Sequence, residues 1–302
     1  MYKKTETDNG LRILTTNMPH TQSASIVLYV GAGSRYEIEQ EAGISHFVEH
    51  MCFKGTPNRP TPKEISETIE GLGGVLNAST DRELTSYWCK VPMTHFRLAL
   101  DVLADIVHEP LFDPLEVEKE RQVILEELSM TYDVPSYRAD LLIDEVMWPN
   151  QPLGRDVGGT RESVINITRE MLMQYMHKQY TPPNLVVSVA GNIQHEQVVE
   201  DIDRHFRDRT RDEPSQWFPA EDEQFAPRIS LERRKTEQAH ICIGVKGLSS
   251  IHQDRYALDM LNAVLGEGMS SRLFVELREK QGLAYDVHSS ITHLRDCGAL
   301  MI

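Results

Sequence analysis

The first ninety residues carry short runs of two kinds. Leu11 to Thr16 and Ser23 to Gly31 (SASIVLYVG) are rich in β-branched and aromatic residues and flank a turn at Pro19, which predicts two strands. A helix over Gly43 to Phe53 (GISHFVEHMCF) follows a glycine-containing loop. Thr61-Pro62-Lys63-Glu64 is a capping box with proline at the first helical position. It opens a helix to about Leu72 that Gly71, Gly73 and Gly74 bring to an end. Leu76 to Thr80 and Glu83 to Val91 then predict a hairpin. In its second arm Leu84, Ser86, Trp88 and Lys90 alternate with Thr85, Tyr87, Cys89 and Val91.

Further along, Thr94 to His108 predicts an apolar helix closed by Glu109-Pro110, and Asp113-Pro114 caps a second that runs through LEVEKERQVILEELSMTY. Helices over Ser136 to Met147 and Arg169 to Gln179, a strand over Asn184 to Gly191 and a helix from His195 to about Phe206 complete a first domain, residues 1–210. Residues 211–228 are rich in Asp, Glu, Arg and Pro and predict a linker. Beyond it the order strand, strand, helix, helix, strand, strand recurs. The predicted elements are Ile229 to Arg234, His240 to Gly247, Asp254 to Leu265, Ser271 to Lys280, and a hairpin of Leu283 to Thr292 with Gly298 to Ile302. Two homologous α+β domains are expected, each a mainly antiparallel sheet packed by helices, the second (229–302) truncated.

Composition narrows the class. The hydrophobic share of 40% is that of a globular protein, and 31 Lys plus Arg against 46 Asp plus Glu leave a net charge of −15. Such a chain is a poor partner for nucleic acid or an acidic membrane, and it favours a cationic peptide. Cys52, Cys89, Cys242 and Cys297 form no Cys-x-x-Cys pair, which points to a reducing compartment. No apolar run is long enough for a membrane span, and MYKKTETDNGLRILTT has neither a signal-peptide core nor a presequence pattern. The expected location is a bacterial cytoplasm, with a processed organellar protein as the alternative.

Chemistry concentrates in His46-Phe-Val-Glu49-His50. Residues four apart share a helix face, so His46 and His50 can offer two imidazole nitrogens to one cation, with Glu49 beside them to handle a water proton. Hydrolysing an amide at neutral pH needs such an activated water and a polarised carbonyl. Glu120 and Glu127 lie seven apart on the later helix. They share one face at the edge of the apolar stripe of Val117, Ile124, Leu125 and Leu128. The second half has no histidine pair in the corresponding helix, YALDMLNAVL, so it cannot supply the same site.

AGISHFVEHMCFKGT, LNASTDRELTSYWCKV, ERQVILEEL and SSRLFVELREKQGLAYDV, in this order, resemble the pitrilysin, insulysin and mitochondrial processing peptidase family of inverted-zincin metallopeptidases, especially its small bacterial processing-peptidase-like branch. The resemblance implies His46, His50 and Glu127 as ligands of one zinc ion per chain, a fourth position being left open. It implies Glu49 as general base and Glu120 as an orienting carboxylate near the site. Asn77 and Ala78 would pair with an extended substrate as an added strand. From the second domain, Arg278 would hold a peptide carbonyl and Tyr285 would steady the oxyanion. The function implied is a zinc metalloendopeptidase acting on peptides or presequence-like unfolded segments, as a homodimer or a heterodimer with a paralogue. The alternative is a noncatalytic peptide-binding or structural partner subunit of the same family.

Overall fold

The computed structural model describes residues 2–302. The chain divides into two compact units, Met1–Leu128 with Asp156–Trp217 and Ser129–Arg155 with Phe218–Ile302. Residues 129–155, inside the range expected of the first domain, thus belong to the second unit, and the expected linker is divided at Trp217.

Strands β1 (Lys3–Glu6), β2 (Arg12–Asn17), β3 (Ser23–Val30), β4 (Val75–Thr80), β5 (Thr85–Pro92) and β6 (Leu185–Gly191) form the sheet of the first unit, in the order β1-β2-β6-β3-β5-β4. All neighbours are antiparallel except β2 and β6. The register follows from side-chain alternation. Ile26 faces Cys89 on one side and Val189 on the other, Leu28 faces Tyr87 and Val187, and Ile13 faces Val187. All of these are fully buried, so a one-residue slip of any strand would turn its apolar set outward.

Helices α1 (Ile44–Cys52), α2 (Pro62–Glu70), α3 (Phe96–His108), α4 (Pro114–Asp133), α5 (Pro135–Met147), α6 (Arg161–Asn166), α7 (Arg169–Gln179), α8 (His195–Phe206) and α9 (Arg255–Leu265) follow the predicted order, with two elements that the sequence pattern did not signal. One is the edge strand β1, whose residues are mostly exposed and lack an apolar alternation. The other is the short α6, whose Thr160 cap pairs with Ser163 where a Glu or Gln would be the usual signal. The capping box at Thr61 and Glu64 forms as expected.

His108, at the end of α3, packs edge-on against Phe206 of α8 with ring centroids 4.4 Å apart. Burial, followed by the charges of Arg209 and His205, lowers its pKa to about 3. An unfolded histidine titrates near 6.5, so between these values the unfolded chain binds a proton that the folded chain refuses. The stability tied to neutral His108 is therefore complete above about pH 6.5 and is lost as pH falls toward 3. Replacing it in His108→Gln should remove about 2 kcal/mol of the stability lost between pH 7 and pH 5, as read from urea unfolding of both proteins at the two pH values.

The second unit contains a three-stranded antiparallel sheet, β7-β9-β8, of β7 (Gly244–Lys246), β8 (Ser290–His293) and β9 (Gly298–Met301). Its core gathers Met147, Trp148, Leu153, Leu294, Cys297 and Ala299. Three predicted elements differ here. Ile229 to Arg234 is not a strand, only Gly244–Lys246 of the run His240 to Gly247 forms one, and residues 283–289 are irregular. A strand needs a neighbour for its backbone groups and cover for its apolar face, and Ile229, Leu231 and Ile241 instead stand 92%, 76% and 79% exposed. The predicted helix over Ser271 to Lys280 is realised with π-helical hydrogen bonding over Phe274–Lys280. No helix among the described residues is long and apolar enough to cross a membrane.

Candidate metal centre

Helix α1 buries Ile44, Phe47, Val48, Met51 and Cys52, leaving His46, Glu49 and His50 on its partly exposed side. Its start is held closely. Gly43 has φ +90°, and a side chain there would lie 2.3 Å from the carbonyl oxygen of Gly158, so only glycine fits. The buried carboxylate of Glu37 accepts from the N–H groups of Gly43 (2.8 Å) and Ser45 (2.9 Å), placing negative charge at the positive end of the helix. The Ser45 hydroxyl meets that of Tyr175 from α7 at 2.6 Å. This anchoring fixes the rotation of α1 and hence where its two imidazoles point.

Helix α4 brings the carboxylates. His46 Nε2 and His50 Nε2 lie 3.0 Å apart, and Glu127 Oε2 stands 3.9 and 3.8 Å from them. Zinc with bonds of about 2.0–2.2 Å holds tetrahedral ligand atoms roughly 3.3–3.6 Å from one another, within about 0.3 Å of the spacings of the three donors, which suit that ion. Among the described residues, His46, His50 and Glu127 are the group able to hold a metal, and Glu126 is not part of it.

Glu120, one face with Glu127 but two turns earlier, is buried and receives His50 Nδ1–H at 2.8 Å. Its other oxygen lies 2.5 Å from the ammonium of Lys54. The bond to Glu120 fixes the His50 tautomer and leaves Nε2 as a lone-pair donor toward His46 and Glu127. Burial would raise the pKa of Glu120, but the hydrogen bonds from His50 and Lys54 outweigh it and hold the carboxyl below its ordinary range. Burial would likewise lower His50, and the carboxylates of Glu120, Glu127 and Glu49 together raise it. His46, lowered to about 4 by burial and then by His50, stays neutral, and its buried Nδ1 has no hydrogen-bond partner.

Glu49 sits one position before His50, and the hydroxyl of Thr80 on β4 donates to its Oε2. Burial raises its pKa above the ordinary carboxyl value despite that hydrogen bond, the direction that suits a proton acceptor working near neutrality. Asn77 and Ala78 lie on β4, the edge strand next to β5. The bond from Asp81 N–H to Leu84 O closes the hairpin, so the antiparallel alternation sends the N–H and C=O groups of Thr80, Ala78 and Leu76 to the free edge. The Ala78 N–H is taken by the side-chain oxygen of Asn77 at 2.8 Å. Arg278 and Tyr285 belong to the second unit, where the guanidinium lies 5.1 Å from the center of the tyrosine ring and Tyr285 is 82% exposed.

Glu37, Lys54 and Thr80 are site residues that the sequence pattern did not single out. Lys54 and Thr80 fall inside the quoted motifs, but their partners lie 66 and 31 residues away, and only the packing of α4 and β4 against α1 brings them together.

Residues 12–161 match the family model "Insulinase (Peptidase family M16)" and residues 166–302 the model "Peptidase M16 inactive domain". A Bacillus subtilis protein described as an uncharacterized zinc protease, YmxG, is 40% identical over the whole chain, which spans 73% of its length. An uncharacterized zinc protease of Mycobacterium leprae is 38% identical over 99% of the chain and 68% of its own length. Among solved structures, a protease from Helicobacter pylori superposes with a TM-score of 0.86 at 25% identity, over all of this chain and 74% of that one. Pitrilysin superposes with a TM-score of 0.73 at 22% identity, over all of this chain and 33% of its own, a likeness of fold. The chain belongs to the insulinase family of peptidases, family M16.

Proposed function

We propose that the protein is a zinc endopeptidase that cleaves extended peptides lying along the free edge of β4. The observation that carries this reading is the triangle of His46, His50 and Glu127 donor atoms with the carboxylate of Glu49 at its side. His46 and His50 are the nitrogen ligands, Glu127 the oxygen ligand, and one zinc ion is held per chain. Bound there, zinc would lower the pKa of a water and polarise the scissile carbonyl.

The remaining work falls to side chains. Glu49 accepts the proton that the attacking water loses as its oxygen bonds to the carbonyl carbon, and delivers that proton to the amine nitrogen as the C–N bond breaks. Glu120 keeps the His50 ring turned toward the ligand set, and Lys54 holds Glu120 in place. The outward N–H and C=O groups of Ala78 give a peptide backbone a strand to pair with, once the Asn77 side chain swings off the Ala78 N–H. Such pairing reads extended backbone, so unfolded segments are the expected substrates, and the net charge of −15 favours basic ones.

The test is removal and return of the metal. Dialysis against a chelator should abolish hydrolysis of a quenched, unstructured basic peptide, and one equivalent of zinc per chain should restore it. Hydrolysis that survives complete removal of metal, or a protein that neither retains zinc nor cleaves the peptide, would overturn the reading.

A further inference from the structure

We infer that Thr80 is a positioning residue that aims Glu49, so that the strand engaging the substrate also sets the general base. The inference rests on the endopeptidase reading above. Thr80 ends β4 with its side chain on the same face as Leu76 and Ala78, which pack against the core of the first unit, and its hydroxyl donates to Glu49 Oε2. With Oε2 engaged, Oε1 is the oxygen left to take a proton. Behind Thr80, the buried Thr85 hydroxyl lies 3.3 Å from its oxygen and donates to the Ala32 carbonyl at 3.1 Å. Thr80 and Thr85 face each other in the β4–β5 register, so the two side chains pack side by side while each hydroxyl proton goes to another acceptor.

The backbone of Thr80 shares the free edge with that of Ala78, so a peptide that pairs with β4 lies along the residue holding the base. A glutamate side chain has three rotatable bonds, and a base misplaced by about 1 Å can cost about 100-fold in rate. One hydrogen bond to a charged group is of the right size to hold it, roughly 10- to 100-fold.

The experiment compares Thr80→Val, Thr80→Ser and Ala78→Pro with the unaltered protein, each loaded with zinc. Valine keeps the shape and β-branching but removes the hydroxyl. Its kcat should fall roughly 10- to 100-fold, with zinc content unchanged and the same calorimetric Kd for a peptide whose scissile amide is reduced to CH2–NH. Serine restores the donor and should recover kcat to within about 3-fold. Ala78→Pro removes a free-edge N–H without breaking the β5 ladder, and should instead weaken that Kd roughly 3- to 10-fold. Zinc-dependent cleavage by the unaltered protein with equal kcat in Thr80→Val, or with no recovery in Thr80→Ser, overturns this inference alone. Absence of zinc-dependent cleavage by the unaltered protein overturns the endopeptidase reading and this inference with it.

Discussion

A Glu49→Gln variant is expected to bind one zinc per chain and to cleave a quenched peptide roughly 100- to 10,000-fold more slowly than the unaltered protein. Glutamine has the size and shape of glutamate, so it can accept the Thr80 hydrogen bond and leave α1 undisturbed. What it cannot do is take a proton from water and return it to the leaving amine. Glu49 is not one of the donor atoms of the His46, His50 and Glu127 cluster, which is why metal content and activity should separate in this variant. Removing a neighbouring negative charge also relieves some of the electrostatic support of His50, one of several carboxylates that raise its pKa. A modest change in zinc affinity is compatible with the assignment. Undiminished cleavage at full zinc occupancy would show that the proton is carried elsewhere.

The parts of the site that could be read from the sequence are those fixed by local geometry. Four-residue spacing on one helix places His46 beside His50, and a seven-residue spacing places Glu120 beneath Glu127. Both relations hold because α1 and α4 are regular across them. The strands β2, β3, β5 and β6 were readable for a similar reason: one face of each is buried and the other is more exposed, so alternation is written into the residues. Sequence could not show which carboxylate would pair with which nitrogen. Glu120 meets His50 Nδ1, and Lys54 meets Glu120, only after α4 crosses α1, and no periodicity encodes that crossing. Thr80 is a similar case, an ordinary strand threonine until β4 brings it to Glu49. In the second unit the failure runs the other way. Ile229 to Arg234 has the composition of a strand, but the pairing that makes a strand is a property of its neighbours, and among the described residues it has none.

The second large effect is expected from His50→Ala. His50 has two partners, the His46–Glu127 cluster through Nε2 and the Glu120–Lys54 pair through Nδ1, so alanine removes a proposed metal ligand and one of the two partners of Glu120 at once. The fold should survive, because Phe47, Val48 and Met51 supply the buried face of α1 and remain in place. For the unaltered protein, zinc at about 100 times its Kd should stabilise the folded state by about 2.7 kcal/mol, visible as a raised unfolding midpoint. In His50→Ala that rise should shrink below about 0.5 kcal/mol at the same zinc concentration, with peptide hydrolysis lost alongside it. Glu120→Gln is the informative comparison, since it keeps all three proposed ligands and weakens the support of His50 together with the ion pair to Lys54. Its zinc affinity should fall roughly 10- to 100-fold, so that added zinc recovers the midpoint shift that His50→Ala cannot recover. Equal zinc stabilisation of His50→Ala and the unaltered protein would move the metal away from this cluster. Equal behaviour of the two variants would mean that Glu120 binds the ion directly, making it a ligand and not a support.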